Sequence, residues 1–291
     1  MTLRLLVLLY AALLLTASTA TAQPPVDMPR GLGYGIAWQQ GAEYAAEARA
    51  ILGEDVPWTN WVYDHMDDPM YLPKAFSMRQ QYVRQYIDAA NVGPARLWLV
   101  GNEPETPQTF IDPVEAAIMA SLFAEETDVP FACCGVVLLR EPGIEWGNGW
   151  AWDTWLDAYL AAGGPVPDVW QLHIYDAFVF EWHDRLDVFR TWAAERDISR
   201  PIIVAETSYP WASPGYNLLL VTAIGDALAS DPDLLAVYWY SVHDYHGLWH
   251  DTDLLDADGT LTALGEAFVD VRNGTAGQGD VYRMWLPMAG G

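Results

Sequence analysis

Two glutamates frame the chemistry available to this chain. Glu103 follows the apolar run Leu97-Trp98-Leu99-Val100 within Gly101-Asn102-Glu103-Pro104, and Glu206 follows Ile202-Ile203-Val204-Ala205 ahead of Tyr209-Pro210. Four consecutive apolar residues read as a strand buried on both faces, and a proline, having no N–H, cannot continue a central ladder. Each carboxylate therefore sits where a buried strand opens to solvent, the end at which α/β folds bind ligands. Two carboxylates facing one cleft are the minimal equipment for hydrolysing a glycosidic bond. A general acid must hold its proton at working pH, which desolvation and a neighbouring carboxylate promote. A nucleophile must stay ionised, which hydrogen bonds to it promote.

Further residues cluster around this pair in the reading. Asn102 offers an amide that can donate to a sugar 2-hydroxyl, or serve the turn it stands in. His173 and Tyr175, two apart in Leu172-His173-Ile174-Tyr175, point to the same side of a strand and so toward one carboxylate, or into the core. Trp239, in Tyr238-Trp239-Tyr240, is a candidate sugar platform, and Trp38, Asn60, Trp61 and Tyr209 are further candidates for contact with substrate. Glu105, past Pro104, reads as a solvated loop charge. Cys133 and Cys134 are adjacent, whereas disulfides normally span Cα separations of ~4.4–6.8 Å and trans neighbours lie ~3.8 Å apart. They read as small buried strand thiols, with a vicinal disulfide as the alternative.

The elements that must position these groups alternate strand with helix. Strands are expected at Gly33–Trp38, Pro57–Tyr63, within Asp67–Pro73, and at Leu97–Val100, Phe131–Leu139, Val169–Tyr175, Ile202–Ala205 and Leu235–Ser241. Helices are expected between them, one capped by Ser77 and one started by Asp112-Pro113. From Gly33 to Ala236 the units average about 29 residues, close to the ~250 residues in eight units of a (β/α)8 barrel. Glu103 and Glu206 then fall on strands four and seven. The spacing predicts one (β/α)8 TIM barrel over residues 23–272, with no interior linker to divide it.

Residues 1–22 have the layout of a secretory signal peptide: Arg4, the apolar stretch Leu5 to Leu15, and Ala20-Thr21-Ala22 as a small-x-small cleavage site. The expectation is a secreted, extracellular protein, with no stable membrane insertion once the leader is cleaved. Residues 273–291 read as a Gly-rich linker and a short apolar tail. The chain carries 39 acidic and 14 basic residues, a formal charge of −25, and its one lysine is Lys74. Such a surface repels phosphate backbones, which excludes nucleic acid as a partner, and it disfavours anionic polysaccharides. Fifteen tryptophans and fifteen tyrosines exceed what a core needs, and aromatic faces stack on sugar rings.

Several of these stretches resemble known families. Asn102-Glu103-Pro104 resembles the Asn-Glu-Pro signature of the clan A glycoside hydrolases (clan GH-A), and Glu206 matches their second glutamate. More narrowly, the chain is similar to glycoside hydrolase family 128, the Asl1-like catalytic cores. Trp58-Thr59-Asn60-Trp61, Asp68-Pro69-Met70-Tyr71, Leu99 to Glu105, His173-Ile174-Tyr175, Tyr238-Trp239-Tyr240 and Asp253 to Gly265 resemble its motifs, as short islands. The resemblance implies a retaining β-glycosidase, most simply an endo-β-1,3-glucanase, with Glu103 as acid/base and Glu206 as nucleophile. It implies a polysaccharide substrate, a β-glucan; no metal or cofactor is implied, and a monomer is expected. Two other classes stay open. One is a non-catalytic carbohydrate-binding barrel. The other is a metal-dependent hydrolase using the His/Asp-rich run His243 to Asp251.

Overall fold

The structure, a computed structural model, describes residues 33–37, 42–138, 143, 149–175, 177–210, 212–243 and 250–274. The leader 1–22, Trp38, residues 244–249 of the His/Asp-rich run and most of the tail (275–291) lie outside the described residues.

Nine parallel strands run in chain order: β1 (Gly33–Ala37), β2 (Trp58–Thr59), β3 (Tyr71–Leu72), β4 (Lys74–Ala75), β5 (Trp98–Val100), β6 (Phe131–Val137), β7 (Val169–Tyr175), β8 (Ile202–Ser208) and β9 (Leu234–Trp239). Their sheet order is β3-β2-β1-β9-β8-β7-β6-β5-β4. The two ends, β3 and β4, are separated by Pro73 alone. Without an N–H, that residue breaks the ladder but not the wall. Tyr71–Ala75 is thus one barrel strand in two pieces, and the sheet closes on itself as an eight-membered α/β barrel. The third strand, expected within Asp67–Pro73, therefore lies at Tyr71–Ala75, and Asp68 to Met70 form the turn before it.

Seven helices among the described residues wrap the barrel: α1 (Ala42–Leu52), α2 (Gln80–Val92), α3 (Pro113–Glu126), α4 (Trp152–Ala161), α5 (Val179–Ala194), α6 (Pro214–Ser230) and α7 (Ala263–Arg272). Asp112 caps α3 by accepting from the Val114 N–H at 2.9 Å, and Pro113 takes the first helical position. Ser77 does not cap α2. That helix starts at Gln80 behind Arg79, which gives no side-chain cap. The second strand is only two residues long because Asn60 Oδ1 accepts the Val62 N–H at 3.1 Å and turns the chain.

Alternation splits the core in two. Leu72, Leu97, Leu99, Ala132, Val169, Ile203, Ala205, Ala236, Tyr238 and Tyr240 pack inside the barrel, while Ile202, Val204, Val237 and Trp239 pack against the helices. Cys133 and Cys134 are disulfide-bonded, not free thiols: their Cα atoms are 3.0 Å apart across a cis peptide, the short spacing a cis bond gives.

Candidate active site

Two bulges re-aim the site residues. β7 and β8 pair Leu172 with Val204 but His173 with Glu206, so Ala205 is an extra residue in β8. An added residue shifts the side-chain alternation by one. Glu206 would otherwise face the helices, yet it points into the barrel mouth beside His173. A second bulge lies at Gly135, between the pairs Cys134–Gln171 and Val136–Leu172. The Gly135 carbonyl accepts the Glu103 N–H at 2.9 Å. Glu103 itself has φ of 48°, a left-handed conformation that costs a non-glycine residue roughly 1–3 kcal/mol and clusters at functional sites. Thr106 and Thr109 hydroxyls donate to its carbonyl at 3.1 and 2.6 Å, which pins this turn. Gly101 before it has φ of +94°, and a Cβ there would lie 2.5 Å from the Cys134 carbonyl oxygen.

These elements bring the two glutamates together. An oxygen of each carboxylate and a His173 nitrogen all lie within 4.8 Å of one another. His173 Nδ1 is 3.0 Å from Glu103 Oε1, and its Nε2 is 3.7 Å from Glu206 Oε1. The Glu103 side chain is 24% exposed and that of Glu206 only 3%. Tyr175 donates its hydroxyl to Glu206 Oε2 at 2.5 Å, and Trp61 donates its indole N–H to Glu206 Oε1 at 3.0 Å. The same-side placement of His173 and Tyr175 thus appears as expected.

Lys74 was not foreseen as a site residue. Its fully buried ammonium donates to Glu206 Oε1 at 2.7 Å and to Asn102 Oδ1 at 2.8 Å. Its one sequence signal is that the sole lysine of the chain stands inside the apolar stretch Tyr71-Leu72-Pro73-Lys74-Ala75-Phe76. Burial pushes the Glu206 carboxyl up. Positive charge at His173 and Lys74, with hydrogen bonds from Lys74 and Tyr175, outweighs this and carries it down to about 2.

Three expectations need correction. Trp239 is fully buried on the helix-facing side of β9, its indole donating to the Thr252 carbonyl at 2.8 Å. Alternation gives the inward position to Tyr240 instead, whose ring centroid lies 6.1 Å from Trp61 and 6.3 Å from Tyr175. Asn60 is buried and serves structure: its Oδ1 accepts from the Val62 N–H and, at 2.5 Å, from the Tyr71 hydroxyl. Glu105 is no solvated charge. It is buried, Oε1 accepts the Val137 N–H at 2.5 Å, and burial pushes its carboxyl up to about 8. Tyr209 packs edge-on to Phe178 at 5.3 Å, and its N–H is held by Asn217. No contact of Tyr209 with either glutamate is seen among the described residues. His243 lies 3.7 Å from Asp253.

Beyond Trp61, a cavity of about 410 Å³ opens between the loops that follow β2, β4 and β5 and the start of α2, lined by Trp61, Phe76, Arg79, Tyr82, Tyr86 and Thr109 among others. No carboxylate lines it among the described residues.

No family model matches the sequence, and no curated protein does so either. Solved structures do match. An endo-β-1,3-glucanase of glycoside hydrolase family 128 (GH128, subgroup II) from Sorangium cellulosum superposes with a TM-score of 0.66 at 18% identity, over 82% of this chain and 98% of that one. The fold is that of GH128 structures. The likeness extends across GH128 subgroups. A subgroup I endo-β-1,3-glucanase mutant from Amycolatopsis mediterranei, in complex with laminaripentaose, matches at TM-score 0.60 and 16% identity over 82% of this chain and 99% of its own. A subgroup VII oligosaccharide-binding protein from Trichoderma gamsii matches at TM-score 0.60 and 13% identity, over 86% and 98%. The GH128 fold thus carries glucan cleavage in some proteins and oligosaccharide binding in another, so the site of each chain must decide.

Proposed function

We propose that this protein is a secreted, retaining β-1,3-glucanase with Glu103 as acid/base and Glu206 as nucleophile. The observation that carries the reading is the pair of carboxylate oxygens within 4.8 Å. Retaining glycosidases hold their carboxyls ~5–5.5 Å apart, whereas inverting ones leave ~6.5–9.5 Å for a water between them. Their unlike environments support the division of roles. Glu206, buried among donors, stays ionised, while Glu103, half open to the cleft, can reach a leaving-group oxygen.

In the first step a Glu206 oxygen bonds to the anomeric carbon as the C–O bond to the leaving sugar breaks. The bond's electron pair passes to the leaving oxygen, which takes the Glu103 proton. In the second step Glu103 removes a proton from water, the water oxygen bonds to the same carbon, and Glu206 departs as carboxylate. Asn102 gives its amide oxygen to Lys74, which leaves its NH₂ as the group that can donate to a sugar hydroxyl. The aromatic cavity beyond Trp61 suits an uncharged sugar chain. Linkage follows the structural neighbours, of which several are β-1,3-glucanases, and export follows the leader at residues 1–22.

The test is reducing-sugar release from a panel of β-glucans with and without 1,3 linkages, wild type beside Glu206→Ala. We expect release from 1,3-linked glucan, reduced to background in the variant. Release from another glycan alone would replace the linkage and keep the mechanism, and activity surviving in the variant would sink the mechanism. Binding of laminari-oligosaccharides without turnover would assign the chain to the oligosaccharide-binding class.

A further inference from the structure

We propose that Lys74 is a positioning residue that selects which oxygen of Glu206 attacks and makes the resulting ester short-lived. The inference rests on the glycosidase reading above and adds the choice of atom to it.

The argument is one of donors and lone pairs. A carboxylate offers about two lone-pair directions on each oxygen. On Glu206 Oε1 both are taken, by the Lys74 ammonium at 2.7 Å and the Trp61 indole N–H at 3.0 Å. Oε2 accepts the Tyr175 hydroxyl at 2.5 Å and keeps one direction open. Oε2 is therefore the oxygen that bonds to the anomeric carbon, while Oε1 becomes the ester carbonyl oxygen without leaving Lys74. The lysine is enclosed within the barrel wall and held from a second side by Asn102 Oδ1 at 2.8 Å. An ammonium only donates, so it also settles the Asn102 amide, with the oxygen held by Lys74 and the NH₂ left as the donor end. One buried cation thus orients the nucleophile and the amide beside the acid.

The cation acts differently on the two steps. It withdraws charge from the attacking carboxylate, which slows formation of the ester. It stabilises the same carboxylate as it departs when water attacks the carbon and the C–Oε2 bond breaks, which speeds release. The wild-type enzyme is expected to turn over an activated aryl β-laminaribioside without a burst of aryl product. Lys74→Met, which keeps the chain length and loses the charge, is expected to show a burst of about one equivalent as ester accumulates. The acidic limb of its kcat/KM profile should also move upward by about 1–3 pH units, the usual effect of losing an opposite charge beside a carboxylate. A merely structural lysine would lower activity without letting ester build up, and the absence of a burst in Lys74→Met overturns the proposal.

Should Lys74→Met not fold, the wild-type protein decides. A crystal structure trapped with a 2-deoxy-2-fluoro-laminaribiosyl fluoride is expected to show the sugar on Oε2, with Lys74 Nζ still within hydrogen-bonding distance of Oε1. A bond through Oε1 overturns the proposal. Failure to trap any sugar on Glu206, in a protein that releases sugar from glucan, instead overturns the double-displacement reading on which it rests.

Discussion

Replacing Glu103 by glutamine keeps the side chain's shape and removes its proton. With natural glucan the rate is expected to fall about 10²–10⁴-fold, the usual worth of general acid–base catalysis. An aryl glycoside whose leaving group needs no proton should lose far less in its first step, and equal losses on the two substrates would argue against the acid role. Glu105 gives a second prediction, about stability. Its carboxyl is pushed up to about 8 by burial, while in the unfolded chain it titrates near the ordinary ~4.3. Between these values the folded protein holds a proton that the unfolded chain has released, so this group's contribution to stability is full at low pH and is lost as pH rises through about 8. Glu206, carried down, works in the opposite sense and at lower pH. Glu105→Gln should therefore gain on wild type between pH 5 and pH 8 in denaturant unfolding, and a constant difference between the two pH values would contradict the buried acid. At this scale the sequence showed the carboxylates, His173, Tyr175 and Trp61, because each stands in a short pattern of type and parity. It hid the places of Lys74 and Glu105, since a charge in an apolar stretch or a loop reads as exposed until its partners, 132 residues away for Lys74 and Glu206 and 32 for Glu105 and Val137, are known.

At the scale of elements, alternation of strand and helix was legible throughout, although β8 runs on to Ser208 and so holds Glu206 within the strand instead of after it. The bulges were not. Counting parity from Ile203 places Glu206 on the wrong face, and only the extra residue Ala205 turns it inward. Trp239 was misplaced for the related reason that inward and outward positions on β9 follow from its register with β8 and β1, which no local pattern contains. The turn at Gly101 offers a test. With φ of +94° and a carbonyl oxygen 2.5 Å from where a Cβ would lie, Gly101→Ala should destabilise the protein by more than ~1 kcal/mol. It should also lower kcat, because Asn102 and Glu103 follow directly. A variant with unchanged melting and unchanged kcat would show that the turn tolerates another conformation. Asp112→Ala makes a useful comparison: loss of the α3 cap should cost about 0.5–2 kcal/mol at an exposed position at the start of that helix.

For the whole molecule, the net charge of −25 bears on substrate choice. Field from an acidic surface reaches ~30 Å at 0.01 M salt and ~8 Å at 0.15 M. The KM for a carboxymethylated β-glucan should therefore fall as salt is raised over that range, while the KM for a neutral glucan stays level. Parallel salt responses would mean that the cleft does not feel the surface charge. Barrel closure also has a consequence for how the chain is made. β1 pairs with β9, Gly33 against Ala236, so the first strand waits some two hundred residues for one of its two neighbours. A polypeptide emerging from the ribosome must keep that edge from other partners until nearly the whole chain has appeared. Synthesis, more than the finished barrel, is where this protein is most exposed to mispairing.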